Sequence, residues 1–140
     1  MTSLIQENKL GEAKGTPLEE AAEANFQGET GEVGLYLAMA RIAQQEGFPE
    51  VGEVLKTIGF EEAQHAARYA LLNGKVSSST KTNLQTMLAG EQGANRGKRE
   101  AAIKAKTEAS DEVHEVFDES SRDEGRHANM LQGLLQRYFK

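Results

Sequence analysis

The hydrophobic positions of the chain recur at intervals of three and four residues over most of its length. One such stripe runs from Val51 to Leu72, and another runs from Val113 to Tyr138. This spacing collects the hydrophobic side chains on one face of an α-helix. The pattern therefore predicts an all-α fold. The four predicted helices span residues 16–46, 49–74, 82–107 and 111–138.

Residues that favour helix starts and stops lie at the ends of these stripes. Thr16-Pro17 has the residues of a helix start, and Ser110 is a second predicted N-cap. Gly47-Phe48-Pro49 and Asn73-Gly74 predict helix stops. The predicted organisation is a loosely held leader at residues 1–15 and one domain at 16–140, made of hairpins 16–74 and 80–139.

The two halves of this domain repeat each other at an offset of 62 residues. At this offset Val51 aligns with Val113 and Leu72 aligns with Leu134, and no gap is needed. The chain is therefore predicted to contain two copies of one helical hairpin.

Each hairpin carries the same acidic and imidazole residues on its hydrophobic stripe. The second helix has the sequence Glu-x-x-His, in which the two side chains share a helix face. The first helix of each hairpin has a Gly-Glu pair. The spacing from its glutamate to the glutamate of Glu-x-x-His is the same in both hairpins. The candidate metal ligands are Glu29, Glu62, His65, Glu91, Glu124 and His127.

Four carboxylates in a hydrophobic interior require cations, because an unpaired buried carboxylate costs several kcal/mol. Two divalent ions would balance the four negative charges. Glutamate oxygens and imidazole nitrogens suit iron and manganese and, less selectively, zinc. Glutamate on one helix and Glu-x-x-His on the next is also the di-metal arrangement of four-helix bundles. The residues alone predict two metal ions and leave iron, manganese and zinc open.

Taken together, these motifs resemble the ferritin-like domain of rubrerythrins over residues 14–139. The resemblance includes Lys14-Gly15-Thr16 and Glu46-Gly47-Phe48 as well as the candidate ligands. It implies a ferritin-like four-helix bundle whose six ligands hold a di-iron site, and an enzyme that reduces hydrogen peroxide to water. Rubrerythrins usually carry a four-cysteine rubredoxin domain, whereas this chain has no cysteine. The resemblance therefore implies an external electron donor such as a rubredoxin-type protein.

The chain departs from the family pattern on the third helix. Rubrerythrins have an additional glutamate there, but this chain has Ala94, and Glu32 occupies the repeat-related place on the first helix. Glu32 is predicted to be a seventh metal ligand and a catalytic residue, with a solvated helix position as the alternative. Tyr36 is also predicted to be a catalytic residue, which donates a hydrogen bond near the site, with core packing as the alternative.

Lys98 takes the place of Tyr36 in the second copy of the repeat. With the neighbouring Arg99, it either pairs with a ligand carboxylate or belongs to a solvated basic face. His114 has no counterpart among the repeated ligands and is expected to lie at the surface.

Composition narrows the functional classes. The formal net charge of −6 argues against nucleic acid as a partner. The chain has no run of about 18 apolar residues, and Met1–Gln6 lack the pattern of a signal peptide, so neither a membrane span nor export is expected. The absence of cysteine agrees with a reducing compartment, and we predict a cytoplasmic protein.

Two alternatives to the peroxidase stay open. Ferroxidase or iron-handling activity with dioxygen is the first, and a radical-generating oxygenase is a weaker one.

The linker at residues 75–81 predicts a homodimer. Fully extended, it reaches about 25 Å. A ferritin-like arrangement requires the chain to travel back along the bundle by about 27 Å. A linker this short favours exchange of hairpins between two chains. We therefore expect a homodimer with domain swapping.

Overall fold

The computed structural model describes residues 8–140, and most of them lie in four α-helices. The helices are α1 (Glu19–Gln45), α2 (Pro49–Leu72), α3 (Thr80–Glu108) and α4 (Asp111–Tyr138). No β-strand occurs within this described range, so the predicted all-α class is confirmed. Among the same residues, no helix is long and apolar enough to cross a membrane.

Thr16, the predicted N-cap of the first helix, lies one turn before that helix begins. Its hydroxyl donates to the carbonyl of Ala13 at 2.7 Å and accepts a hydrogen bond from the Leu18 N–H at 3.2 Å. α1 itself begins at Glu19. The predicted cap is wrong in position, because the threonine hydroxyl closes a separate turn with its own neighbours.

The other helix ends follow the chemistry of their sequences. The hydroxyl of Ser110 accepts a hydrogen bond from the Val113 N–H at 3.4 Å, as predicted for an N-cap. Gly47 after α1 and Gly74 after α2 have φ values of 87° and 58°. This left-handed conformation lets the N–H groups that follow each helix reach its last carbonyls. The two predicted helix stops are confirmed.

α1 packs against α2 to form hairpin 1, and α3 packs against α4 to form hairpin 2. Small residues line both helix contacts, which lets the backbones approach closely. Most of these buried positions recur at the offset of 62 residues. The matched pairs are Ala40 and Ala102, Ala43 and Ala105, Gly59 and Ser121, and Ala66 and Ala128. The predicted repeat is therefore present in the packing of the helices.

Each hairpin has an exposed apolar face. The chain divides between Val76 and Ser77 into two compact units, one for each hairpin. Val51, Val113 and Phe117, which the sequence predicts to be core residues, are 49%, 40% and 38% exposed. The prediction that these side chains are buried is wrong for the single chain. Two packed helices bury only the residues at their mutual contact, and the rest of each hydrophobic stripe stays exposed.

The segment before α1 is folded against the end of α2. The N–H groups of Gly11 and Ala13 donate to the carbonyls of Leu71 and Leu72 at 2.9 and 3.0 Å. Ala13 is buried. These bonds satisfy carbonyls that the last turn of a helix leaves without intrahelical partners. The expectation of a loosely held leader is wrong for residues 11–15, and its first seven residues lie outside the described range.

Candidate metal centre

Glu29 of α1 comes together with Glu62 and His65 of α2, and we call this group half-site 1. The Nδ1 atom of His65 lies 3.0 Å from a carboxylate oxygen of Glu29 and 3.2 Å from one of Glu62. The two carboxylates are 17% and 19% exposed, whereas the imidazole is 55% exposed. The i, i+3 spacing on α2 turns both of its side chains towards α1.

Glu91 of α3 comes together with Glu124 and His127 of α4, and we call this group half-site 2. The Nδ1 atom of His127 lies 3.5 Å from an oxygen of each carboxylate. Glu91 and Glu124 are 18% and 16% exposed. The six predicted ligands thus form two groups of three, one within each hairpin.

The residues of each half-site fit a divalent transition-metal ion. One ligand atom from each residue lies within 4.8 Å of the others in its group. Bonds of about 2.0 to 2.2 Å to oxygen and nitrogen hold neighbouring ligands at most about 4.4 Å apart, so small adjustments suffice. In half-site 2, one buried oxygen of Glu91 has no hydrogen-bond partner. A buried acceptor of this kind usually has a partner, and a cation would provide it.

The paired carboxylates disturb each other's protonation. A hydrogen bond shared with Glu29 raises the pKa of Glu62, and partial desolvation raises it further. A hydrogen bond with Glu124 raises the pKa of Glu91 in the same way. The pKa of Glu124 falls to about 2, because this carboxylate accepts hydrogen bonds from Glu91 and from Lys98. Each half-site therefore holds two carboxylates that resist simultaneous ionisation, and a bound cation would remove that resistance.

Replacing Glu62 by glutamine is expected to stabilise the metal-free protein at pH 8.5. An acid whose pKa is raised by folding stabilises the fold below its unfolded-state pKa, and this contribution is lost as the pH rises through the folded-state pKa. The advantage of Glu62→Gln should therefore be largest at alkaline pH and vanish towards pH 4. Thermal unfolding of chelator-treated protein across this range measures the difference.

Glu61→Gln is the matched control, because Glu61 is the exposed neighbour of Glu62 on α2. His65 reduces the advantage of Glu62→Gln at lower pH. The hydrogen bond to Glu62 raises the pKa of His65, so the pair of Glu62 and His65 stabilises the original protein below the unfolded-state pKa of His65 and loses that effect as the pH rises. The variant lacks this stabilisation. A lower unfolding temperature for Glu62→Gln at pH 8.5 would contradict the repulsion between Glu29 and Glu62.

The structure does not bring Glu32 into half-site 1. This residue is exposed on α1, one turn after Glu29. Tyr36 is half-buried and packs towards α2, where its Cβ lies 3.2 Å from the place that a Cβ would take at Gly59. Metal binding by Glu32 and hydrogen bonding by Tyr36 stay predictions.

Lys98 and Arg99 separate into different environments. The Nζ atom of Lys98 contacts a carboxylate oxygen of Glu124 in half-site 2, as one of the two sequence interpretations has it. Arg99 instead binds the carboxylate of Asp118 at 2.6 Å and is mostly exposed. One basic residue therefore lies at the half-site, and its neighbour does not.

His114 is half-buried in hairpin 2, so its expected surface position is wrong. Its Nδ1 atom donates to the carbonyl of Ala102 at 2.7 Å. At the offset of 62 residues, His114 aligns with Gly52 of hairpin 1. A Cβ at Gly52 would lie 3.2 Å from the carbonyl of Ala40, the counterpart of Ala102. The alignment with this glycine could have shown that His114 faces the neighbouring helix.

α3 and α4 also share a polar contact that the sequence motifs do not predict. Asn95 donates from its side chain to the carbonyl of Ser121 at 2.6 Å, and the buried hydroxyl of Ser121 donates to the carbonyl of Asn95 at 3.2 Å. The repeat indicates that Ser121 faces the neighbouring helix, since Ser121 aligns with the buried Gly59. These bonds fix the helices of hairpin 2 close to half-site 2.

Half-site 1 is open to small molecules. A pocket of about 420 Å³ lies beside it, lined by Glu29, His65, Arg68, Tyr69 and Leu72. The carboxylate of Glu29 and the imidazole of His65 are therefore accessible in hairpin 1 as it stands.

One glutamate on the first helix and Glu-x-x-His on the second, present in both hairpins, define the class of di-metal carboxylate proteins built on four-helix bundles. The family model described as Rubrerythrin matches residues 20–135. The chain belongs to the rubrerythrin family, which confirms the predicted resemblance and the ferritin-like fold class. Proteins of this family are di-iron proteins.

Two relatives match nearly the whole chain. An uncharacterized protein of Methanocaldococcus jannaschii is 60% identical over 137 residues, which cover 98% of this chain and 97% of the relative. Reverse rubrerythrin-1 of Clostridium acetobutylicum is 51% identical over 137 residues, which cover 96% of this chain and 76% of that protein.

Proposed function

We propose that the protein is a di-iron oxidoreductase that reduces hydrogen peroxide to water. Membership of the rubrerythrin family supports the di-iron class. The observation that carries the proposal is the matched pair of half-sites. Each offers two carboxylates and one imidazole, and together they provide the six ligands that di-iron centres of this class use.

The charges of the two half-sites support a centre with two metal ions. Four carboxylates would surround two divalent cations, so the formal charges of ligands and metals cancel. The raised pKa values of Glu62 and Glu91 in the metal-free protein reflect the same demand for positive charge. A centre without net charge is compatible with the partial burial of its glutamates.

When bound, the two irons would supply the two electrons that, with two protons, convert hydrogen peroxide into two water molecules. An external redox protein of the rubredoxin type would return two electrons. The residues of this chain hold and orient the centre. Tyr36 would donate a hydrogen bond to a carboxylate of half-site 1 and keep it oriented, and Glu32 would provide a further carboxylate one turn from Glu29.

Stopped-flow oxidation of the reduced, iron-loaded protein tests this function. We expect reaction with hydrogen peroxide to be at least about 100-fold faster than reaction with dioxygen, an effect comparable to that of a well-placed catalytic group. Glu62→Ala should abolish the fast phase, whereas the neighbouring exposed variant Glu61→Ala should keep it. Rapid reaction with dioxygen alone, with storage of iron beyond two ions per centre, would identify a ferroxidase instead.

We further propose that the active form is a homodimer in which hairpin 1 of one chain meets hairpin 2 of the other. The exposed apolar faces of the hairpins would cover each other in this arrangement. Residues such as Leu35 and Ile42 in hairpin 1, and Ile103 and Val116 in hairpin 2, are more than half exposed in the single chain. Their burial would supply the hydrophobic stabilisation that an obligate interface needs.

The segment between α2 and α3 supports hairpin exchange, because hydrogen bonds fix both of its ends. The N–H groups of Gly74 and Lys75 donate back to carbonyls of α2. The N–H of Ser77 donates to the side chain of Asn83 at 2.7 Å, and its carbonyl accepts from the same side chain at 2.8 Å. Only Val76 lies between these two anchored groups.

This anchored segment is too short to join the two half-sites of one chain. In a four-helix centre, α3 must run parallel to α2, so the linker must return past the stretches from His65 to Leu72 and from Thr80 to Glu91. These stretches measure about 27 Å together at 1.5 Å per residue. The eight residue steps from Leu72 to Thr80 reach about 29 Å only when fully extended. The hydrogen bonds of Gly74, Lys75 and Ser77 hold the two ends of this segment in turns and prevent that extension. A second copy of the chain would therefore complete each centre.

A further inference from the structure

Lys98 makes the two half-sites unequal. Its ammonium group contacts Glu124 in half-site 2, and its side chain is 35% exposed. The repeat-related residue of hairpin 1 is the uncharged Tyr36. Half-site 1 instead has an acidic neighbour, Glu32, one turn from Glu29. The repeat preserves the ligands but reverses the charge beside them.

The contact between Lys98 and Glu124 lies where a metal ion would bind. The carboxylate of Glu124 belongs to the three residues whose ligand atoms gather within 4.8 Å. The lysine therefore neutralises part of half-site 2 when no metal is present. When a divalent ion binds the same carboxylate, the ammonium group either leaves Glu124 or stays as a like charge beside the ion. Either outcome opposes metal binding.

We propose that Lys98 is a positioning residue that stabilises metal-free half-site 2 and weakens metal binding there, so that the protein fills its two metal positions unequally. This inference rests on the proposed di-metal function and goes beyond it. The ion held by Glu29 and His65 would bind more tightly, and the ion held by Glu91 and His127 would bind more weakly. The ligands are the same in both positions, so the difference comes from Lys98 and Glu32.

Lys98→Met tests the proposal, because it keeps a side chain of similar length and removes the charge. We expect two opposite effects. The chelator-treated variant should unfold at a lower temperature than the original protein. Its weaker step in an anaerobic titration with Co²⁺ should become about tenfold tighter, the lower end of the range for groups beside metal ligands. Co²⁺ absorption against a competing chelator measures both binding steps.

Arg99→Met is the matched control, because it removes an equal charge from the next residue of α3, which pairs with Asp118 away from the half-site. It should leave both Co²⁺ steps unchanged. Lys98→Tyr is the second variant, and it gives half-site 2 the residue found in hairpin 1. It should bring the two Co²⁺ affinities closer together.

Unchanged or weaker Co²⁺ binding in Lys98→Met and Lys98→Tyr would overturn the proposal. In that case the original protein would still bind two ions, and the di-iron function would stand. Absence of Co²⁺ and Fe²⁺ binding to the original protein would instead overturn the proposed function together with this inference. A loss of stability alone, without tighter binding, would reduce Lys98 to a purely structural residue and would also contradict the proposal.

Discussion

Two inactive variants are expected to restore one metal centre when they form a dimer together. The first variant carries Glu62→Ala and His65→Ala, and the second carries Glu124→Ala and His127→Ala. Each variant alone should lose one metal position of every centre and, with it, all peroxide turnover. A purified heterodimer, formed by co-refolding chains with different affinity tags, should regain about half of the original peroxide turnover.

The expectation follows from the way that hairpin exchange combines half-sites. In a heterodimer, one centre receives the intact half-sites of both chains, and the other receives both damaged ones. In a homodimer of either variant, every centre combines an intact half-site with a damaged one. Two carboxylates and one imidazole then face a hairpin that keeps only Glu29 or Glu91, and the second metal position is lost.

Other assemblies give different results in the same experiment. If the half-sites of one chain combined with each other, the heterodimer would contain no complete centre and no activity would return. If like hairpins paired, each variant alone would keep one complete centre and about half of the original turnover. Peroxide turnover of the three dimers, measured together with their metal content, distinguishes these outcomes. A heterodimer of two chains with Glu61→Gln and Glu119→Gln, which are exposed positions of α2 and α4, controls for the refolding procedure.

Lengthening the linker is expected to convert the dimer into a monomer that still binds two metal ions. Ten glycine and serine residues between Val76 and Ser77 would add up to about 35 Å of reach. The added length exceeds the roughly 27 Å that the chain must travel to fold its hairpins onto each other. Light scattering after size-exclusion chromatography measures the mass, and metal analysis measures occupancy.

A substitution that keeps the linker length provides the control for this insertion. Val76→Gly makes the linker more flexible at the residue between the hydrogen-bonded Lys75 and Ser77 but does not lengthen the chain. The variant should therefore remain a dimer. A lengthened protein that remains a dimer at micromolar concentration would contradict the argument from reach. A lengthened monomer without metal would show that the partner chain is needed for more than the second half-site.

The helices and the half-sites could be predicted because each depends on short-range sequence rules. Glu62 and His65 share a helix face wherever the helix forms, and the same holds for Glu124 and His127. The glycines after α1 and α2 end those helices through a backbone conformation that other residues rarely adopt. The repeat then transfers each conclusion from hairpin 1 to hairpin 2.

The remaining features depend on contacts between distant residues. The N–H of Ala13 donates to the carbonyl of Leu72 across more than 50 positions of the chain. No periodic pattern in the sequence predicts this hydrogen bond. The helix stripe predicts that Val51 is buried, but it does not indicate which element would cover this side chain. Lys98 could have paired with solvent or with Glu124, and only the arrangement of α3 on α4 decides between them.

The small residues between the helices also restrict which ions suit the centre. Alanine and glycine at positions such as Ala40, Ala66 and Gly59 keep paired backbones close, and so they keep Glu29 within 3.0 Å of His65. A narrow cavity with few donors and an imidazole nitrogen disfavours Ca²⁺, which takes six to eight oxygen ligands at about 2.3 to 2.6 Å. In the proposed di-metal centre, this close helix contact would favour first-row transition metals over the alkaline-earth ions.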